Sequence, residues 1–153
     1  MKKIAVLAAV VMLFVASVSW AGCNFSTFTK WDVSGQREGQ KTYDLYYKND
    51  PRMNHRVGDQ ITITLVMDYT DWGRVCRLKD TPNFPPNAKT SIDSYIVNLS
   101  TGQLRYVGVR YMDFNCQMIS DFDYSNSDWF SPSPNSMGEE FVKIGRILAG
   151  MPV

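Results

Sequence analysis

A chain of 153 residues with 16 Lys and Arg against 15 Asp and Glu, a formal charge of +1, is the size of one domain with a leader. The basic residues stand singly among acids and aromatics, so the electrostatic footprint of a nucleic-acid or acidic-lipid partner is absent. Hydrophobic residues make up 44% of the chain and aromatics 13%, enough for one packed core.

Lys2 and Lys3 precede an apolar run from Ile4 to Val18, and Ser19-Trp20-Ala21-Gly22-Cys23 follows. Charge, short apolar core and small residues in that order predict a secretory signal peptide over residues 1–21. The run is short of the roughly 20 residues that span a bilayer, so the remainder reads as an exported domain, periplasmic or outer-membrane-anchored, alternatively secreted. A cut after Ala21 leaves 132 residues and makes Cys23 an ordinary thiol; without Lys2 and Lys3 the 16 basic residues become 14 against 15 acidic ones. Ala21-Gly22-Cys23 also resembles the end of a bacterial lipobox, with Trp20 where leucine is usual. On that route Cys23 is lipidated and supplies the chain's one membrane contact. It also settles the cysteine count, because Cys23, Cys76 and Cys116 leave one over in an oxidising compartment. Lipidation of Cys23 leaves a Cys76 to Cys116 disulfide, closing a loop of about 40 residues and contributing about 3–4 kcal/mol.

Residues 22–40, with Ser26, Ser34, Gly35 and Gly39, are expected to form a tether or irregular lead-in to a single β-rich domain over 41–153. Lys41 to Tyr47 places Tyr43, Leu45 and Tyr47 on one face, with Tyr46 opposite. The strongest alternation runs from Ile61 to Tyr69, with Ile61, Ile63, Leu65, Met67 and Tyr69 on one face and Thr62, Thr64 and Asp68 on the other. Weaker strand patterns cover Gly73 to Lys79, Ser91 to Leu99 and Gln103 to Met112, the last two joined by a Ser100-Thr101-Gly102 turn. Prolines mark loops at 81–89 and 131–135. Ser136 and Glu139 then form a capping-box pattern that opens an amphipathic helix over 137–149, carrying Phe141, Ile144 and Leu148 on its apolar side. Arg56-Val57-Gly58-Asp59-Gln60-Ile61-Thr62-Ile63 looks like the turn-into-strand phrase of immunoglobulin-like sandwiches. The expected fold is mainly β: an antiparallel β-sandwich, immunoglobulin-like or related, with one C-terminal amphipathic helix.

Chemistry is sparse. His55 is the single histidine and sits in a polar loop, and neither a short metal-ligand spacing nor a Cys-x-x-Cys occurs. Asp121-Phe122-Asp123-Tyr124-Ser125 resembles the first half of an EF-hand loop, which makes Asp121, Asp123 and Asp128 candidate Ca²⁺ ligands; Asn126 replaces the turn glycine and Pro132 the bidentate glutamate. No other cofactor is implied. Tyr46, Trp72 and Trp129 are the candidate binding surface, since rigid aromatics with a polar handle suit sugars or proteins. The expected function is a non-catalytic binding or structural module of the bacterial cell envelope, a lipoprotein, for a protein or glycan of that envelope. The alternative is a small secreted hydrolase using paired carboxylates among Asp121, Asp123 and Asp128.

Overall fold

The structure, a computed structural model, describes residues 23–153; the signal peptide assigned to residues 1–21 lies outside the described residues. Nine strands follow in chain order: β1 (Thr29–Lys30), β2 (Gly35–Arg37), β3 (Gln40–Tyr47), β4 (Arg56–Val57), β5 (Gln60–Tyr69), β6 (Thr90–Asn98), β7 (Leu104–Met112), β8 (Met118–Asp123) and β9 (Trp129–Phe130). Helix α1 (Asp71–Asp80) lies between β5 and β6, and α2 (Met137–Leu148) closes the chain. Every strand pair is antiparallel, in the order β1-β3-β5-β6-β7-β8, with β2 also on β3, β4 on β5 and β9 on β7.

The alternating strand is the spine of this sheet. Ile61, Ile63, Leu65, Met67 and Tyr69 of β5 are all buried, and in register with them lie Leu45 of β3 and Val97 of β6. Burying side chains of this size stabilises by about 1.5–3 kcal/mol each. Alternation identifies a buried face but not what covers it. The mainly β, antiparallel fold with a C-terminal amphipathic helix is as expected, and all nine described strands join one hydrogen-bonded sheet, so no separate second sheet of a sandwich is seen among the described residues. Cover comes instead from α2, whose Phe141 meets Tyr95 at 5.1 Å, and from Phe84 in the proline-marked loop, wedged edge-on between Tyr69 and Tyr111 at 5.4 and 5.3 Å.

Helix α2 starts where the capping pattern placed it. Ser136 Oγ accepts from the Glu139 amide, and Glu139 reaches back to the Asn135 amide at 2.8 Å. Gly145 lets the helix sit on β6: a Cβ there would come within 2.8 Å of Val97 Cγ2.

The stretch expected to be a strand at Gly73 to Lys79 is instead helix α1. Thr70 is its N-cap, accepting from the Gly73 amide at 3.0 Å, and Asp71 in the first turn and Arg77 and Lys79 in the last complement the helix dipole. Those end signals outweigh the short alternation of Arg74, Cys76 and Leu78. The region expected as a tether or irregular lead-in is also more regular than its composition suggests. Strands β1 and β2 lie along β3, and Trp31 Nε1 donates to Glu140 of α2 at 2.9 Å, fastening the lead-in to the helix.

The cysteines pair differently from the expectation. Cys23 is bonded to Cys116, with Cα atoms 5.2 Å apart, and Cys76 is a free, buried thiol on the sheet side of α1. Cys116 lies in the β7 to β8 turn, where Asp113 accepts from the amides of Asn115 and Gln117 and Cys116 takes a positive φ of 60°. The Cys76 to Cys116 pairing fails because α1 turns Cys76 inward. A disulfide leaves the Cys23 sulfur no valence for a thioether, so this bridge and the lipidation expected at Cys23 are alternatives.

Candidate functional site

Two polar features stand out from the apolar framework, one buried and one at the sheet's edge. The buried one grows from the core faces of β5, β6 and β7. Asp93 is fully buried on β6 and accepts from Ser91 and from the Tyr106 hydroxyl, the latter at 2.8 Å. Ser91 in turn lies 2.9 Å from the Tyr69 hydroxyl, which accepts from Arg77 Nη2 of α1 at 3.4 Å. A carboxylate and a guanidinium are thus linked through two hydroxyls with no direct ion pair. Burial raises the Asp93 carboxyl above its ordinary value; the Ser91 and Tyr106 hydrogen bonds and the Arg77 charge oppose that shift without cancelling it. Burial also drives the Tyr69 hydroxyl up to about 12, so it stays protonated and able to bridge.

This arrangement has a pH signature. An acid whose folded pKa lies above its unfolded value stabilises the fold fully below the unfolded pKa, near 3.8, and that contribution is lost as pH rises through the folded pKa. Asp93→Asn removes the titration while keeping the shape. Urea denaturation from acid to neutral pH is expected to show the stability of wild type falling relative to Asp93→Asn as pH rises. A difference between the two that is constant across that range refutes the assignment.

The edge feature is built by the chain leaving β8. The Tyr124 amide donates to the Val107 carbonyl at 2.7 Å and Ser127 Oγ to the Tyr106 carbonyl, so residues 124–127 are tied against β7 before β9 pairs with Leu104 and Arg105. The Tyr124 ring stacks on Tyr106 at 5.0 Å and 16°, and Tyr106 packs in turn on Tyr95 at 4.8 Å with the rings tilted by 32°. Tyr124 itself remains 36% exposed. Beside it is a hollow of about 320 Å³ lined by Asp123, Tyr124, Ser125, Asn126 and Ser127. Asp123 accepts from the Ser125 amide at 2.8 Å, and this bond holds its carboxyl below the usual range. It therefore presents an ionised acceptor at neutral pH. Phe130, 43% exposed, shares the Tyr124 side of β7 through its pairing with Leu104; Trp129 lies on the opposite side, with the Arg105 guanidinium 5.2 Å from its ring centre.

The three aromatics picked from the sequence do not form one surface. Tyr46 on β3 is stacked against Phe25 at 5.4 Å, and four strand-to-strand steps separate it from Trp129 on β9, about 19 Å at normal spacing. Trp72 sits on α1 with its Nε1 buried and unpaired. The sheet order disperses them: Trp129 is near the edge site in sequence but faces the other side of the sheet from Tyr124. The principal platform of the edge site, Tyr124, was visible in the sequence only as one tyrosine in an acidic turn.

The three aspartates do not converge either. Asp121 on β8 pairs with Arg110 at 3.1 Å, Asp123 caps its own turn, and Asp128 lies beyond that turn. Among the described residues no group of three His, Cys, Asp or Glu side chains is placed to hold a metal ion. The reason is local: β8 is extended through Asp123, whereas an EF-hand loop must curl around its ion. His55 is exposed, and its backbone carbonyl accepts from the Thr62 amide. Among the described residues no helix is long and apolar enough to cross a membrane.

Comparison with known proteins gives a distant likeness of shape. The chain is similar to Haemophilus influenzae protein E, with 14% identity, 78% of this chain and 93% of that chain covered, and a TM-score of 0.41. A second crystal form of the same protein gives 13% identity, 80% and 98% coverage and a TM-score of 0.43. Its selenomethionine form gives 12% identity, 78% and 95% coverage and a TM-score of 0.40. No protein-family model matches the chain, and no curated protein matches it.

Proposed function

We propose that this protein is an exported module of the cell envelope that binds a glycan without transforming it, through the edge site at residues 123–130. The observation that carries the reading is Tyr124, a flat ring fixed by stacking on Tyr106 and left part-exposed beside a hollow of acceptor and hydroxyl groups. A sugar ring presents an apolar face to an aromatic and its hydroxyls to carboxylate and amide groups, so this combination suits it. Because Tyr124 is already held in place, little rotamer entropy is lost on binding. Export is supported by the disulfide, which persists in oxidising compartments.

A catalytic reading has less behind it. Inverting and retaining glycosidases place two carboxyls across one bond with their protonation states separated, while Asp121 is ion-paired with Arg110 and Asp123 is held ionised by its own turn, which does not suit it to be the proton donor. The test is titration calorimetry with soluble peptidoglycan fragments as probe. Tyr124→Ala is expected to weaken binding about tenfold, since an aromatic contact contributes around 1 kcal/mol or more and 1.4 kcal/mol is a factor of ten. The triple variant Asp121→Ala, Asp123→Ala, Asp128→Ala should be as inert toward the fragments as the native protein. Undiminished binding by Tyr124→Ala removes the site, and turnover of fragments lost in the triple variant restores the hydrolase.

A further inference from the structure

A second site lies where α1 meets β3. Between this helix and β3 is a cleft of about 360 Å³ lined by Thr42, Tyr43, Gly73, Cys76 and Arg77, with the exposed Arg37 and Asp80 ion pair at its solvent side. Arg77 is the group it has not satisfied. A guanidinium carries five N–H donors in a planar fork, yet Arg77 makes one side-chain hydrogen bond, to the Tyr69 hydroxyl, and its Nε is buried without a partner. None of the ion pairs among the described residues includes it. Asp93 reaches it only through Ser91 and Tyr69. Leaving a cation partly desolvated with donors unused is costly, and a carboxylate meeting the fork with two parallel hydrogen bonds removes that cost.

We propose that this cleft binds a small carboxylate with a compact apolar body, its charge on Arg77 and its body against Tyr43 and Cys76. The class of ligand follows from the lining. Arg37 and Asp80 at the rim neutralise one another, so Arg77 is the one uncompensated charge of the lining and matches a single negative charge. The Tyr43 ring and Cys76 thiol offer apolar surface to a short branched or ring-bearing tail. The volume is at the small end of ligand pockets, which run from about 300 Å³. The site is separate from the glycan edge, so each can fail while the other stands.

The experiment is NMR titration of the whole exported chain with isovalerate, reading the Arg77 Nε–H and the Gly73 and Cys76 amides, with inorganic phosphate as the competing anion. Isovalerate at millimolar concentration should shift all three signals saturably, and phosphate should leave them in place. Arg77→Lys keeps a positive charge but loses the fork, and should weaken binding about tenfold; Arg77→Met should abolish it. Where Arg77→Met does not fold, the wild-type Nε–H response and Arg77→Lys decide the question. An unmoved Arg77 Nε–H, equal shifts with phosphate, or unchanged affinity in Arg77→Lys each overturns the proposal.

Discussion

Opening the Cys23 to Cys116 disulfide should lower stability by about 4–5 kcal/mol, the largest effect of any single covalent change in this chain. The bridge spans 93 residues, and chain-entropy arguments give about 4.7 kcal/mol for a loop near 100 residues against about 3–4 for the 40-residue loop expected from sequence. Urea denaturation with and without dithiothreitol measures the effect. The Cys23→Ala, Cys116→Ala double variant should match the reduced protein and ignore the reductant, whereas Cys76→Ala should stay reductant-sensitive. The reverse pattern, sensitivity lost with Cys76, reinstates the Cys76 to Cys116 bridge. Intact mass of the denatured, unreduced protein should show one alkylatable thiol and no lipid on Cys23; a lipid adduct there refutes the bridge directly.

Gly73→Ala should destabilise by about 3–4 kcal/mol, more than substitution at any other glycine in a helix. A Cβ at Gly73 would lie 1.8 Å from the Thr42 carbonyl oxygen and 2.6 Å from its carbon. Those are backbone atoms of β3 and cannot rotate aside, so α1 must lift. Lifting strains the Thr70 cap, whose hydroxyl donates to the Lys41 and Thr42 carbonyls at 2.8 and 3.1 Å. Overpacking costs about 1–3 kcal/mol and loss of an N-cap about 1 more. Gly145→Ala is the informative contrast. Its clash is with the Val97 side chain, which can shift, so a cost well below that of Gly73→Ala is expected. Thermal or urea unfolding of the two variants checks the order, and equal stabilities would mean that α1 does not rest on β3 as described.

The sheet was largely legible because period-two alternation has a direct physical cause: successive side chains point to opposite faces, and one of those faces packs on the apolar core. Strands β3, β5, β6 and β7 fall within a residue or two of the runs at Lys41, Ile61, Ser91 and Gln103. Helix α2 was equally plain, since its cap and its apolar stripe agree. Helix α1 was not, because ten residues with two arginines and a glycine alternate well enough to imitate a strand, and the cap at Thr70 was the signal that should have outweighed it. The short edge strands β1, β2, β4, β8 and β9 carry little pattern of their own. They form because a longer neighbour offers hydrogen bonds.

The candidate sites were legible in composition and not in place. Asp121 to Asp128 stood out as an acidic, aromatic segment, yet its chemistry depends on Tyr106 arriving from β7 to fix Tyr124. Arg77 and Asp93 attracted no notice in the sequence, because a lone charge in an apolar stretch reads as solvated until the fold surrounds it.

What the sequence determined by itself was therefore what neighbours along the chain set: the amphipathic strands and the second helix. The tertiary structure alone decided which cysteine met Cys116, which layer covered the sheet, which aromatics shared a surface, and which charges were buried. Each of those depends on residues far apart in sequence meeting in space, and such pairings are selected by the free energy of the whole packed chain, which no local window contains.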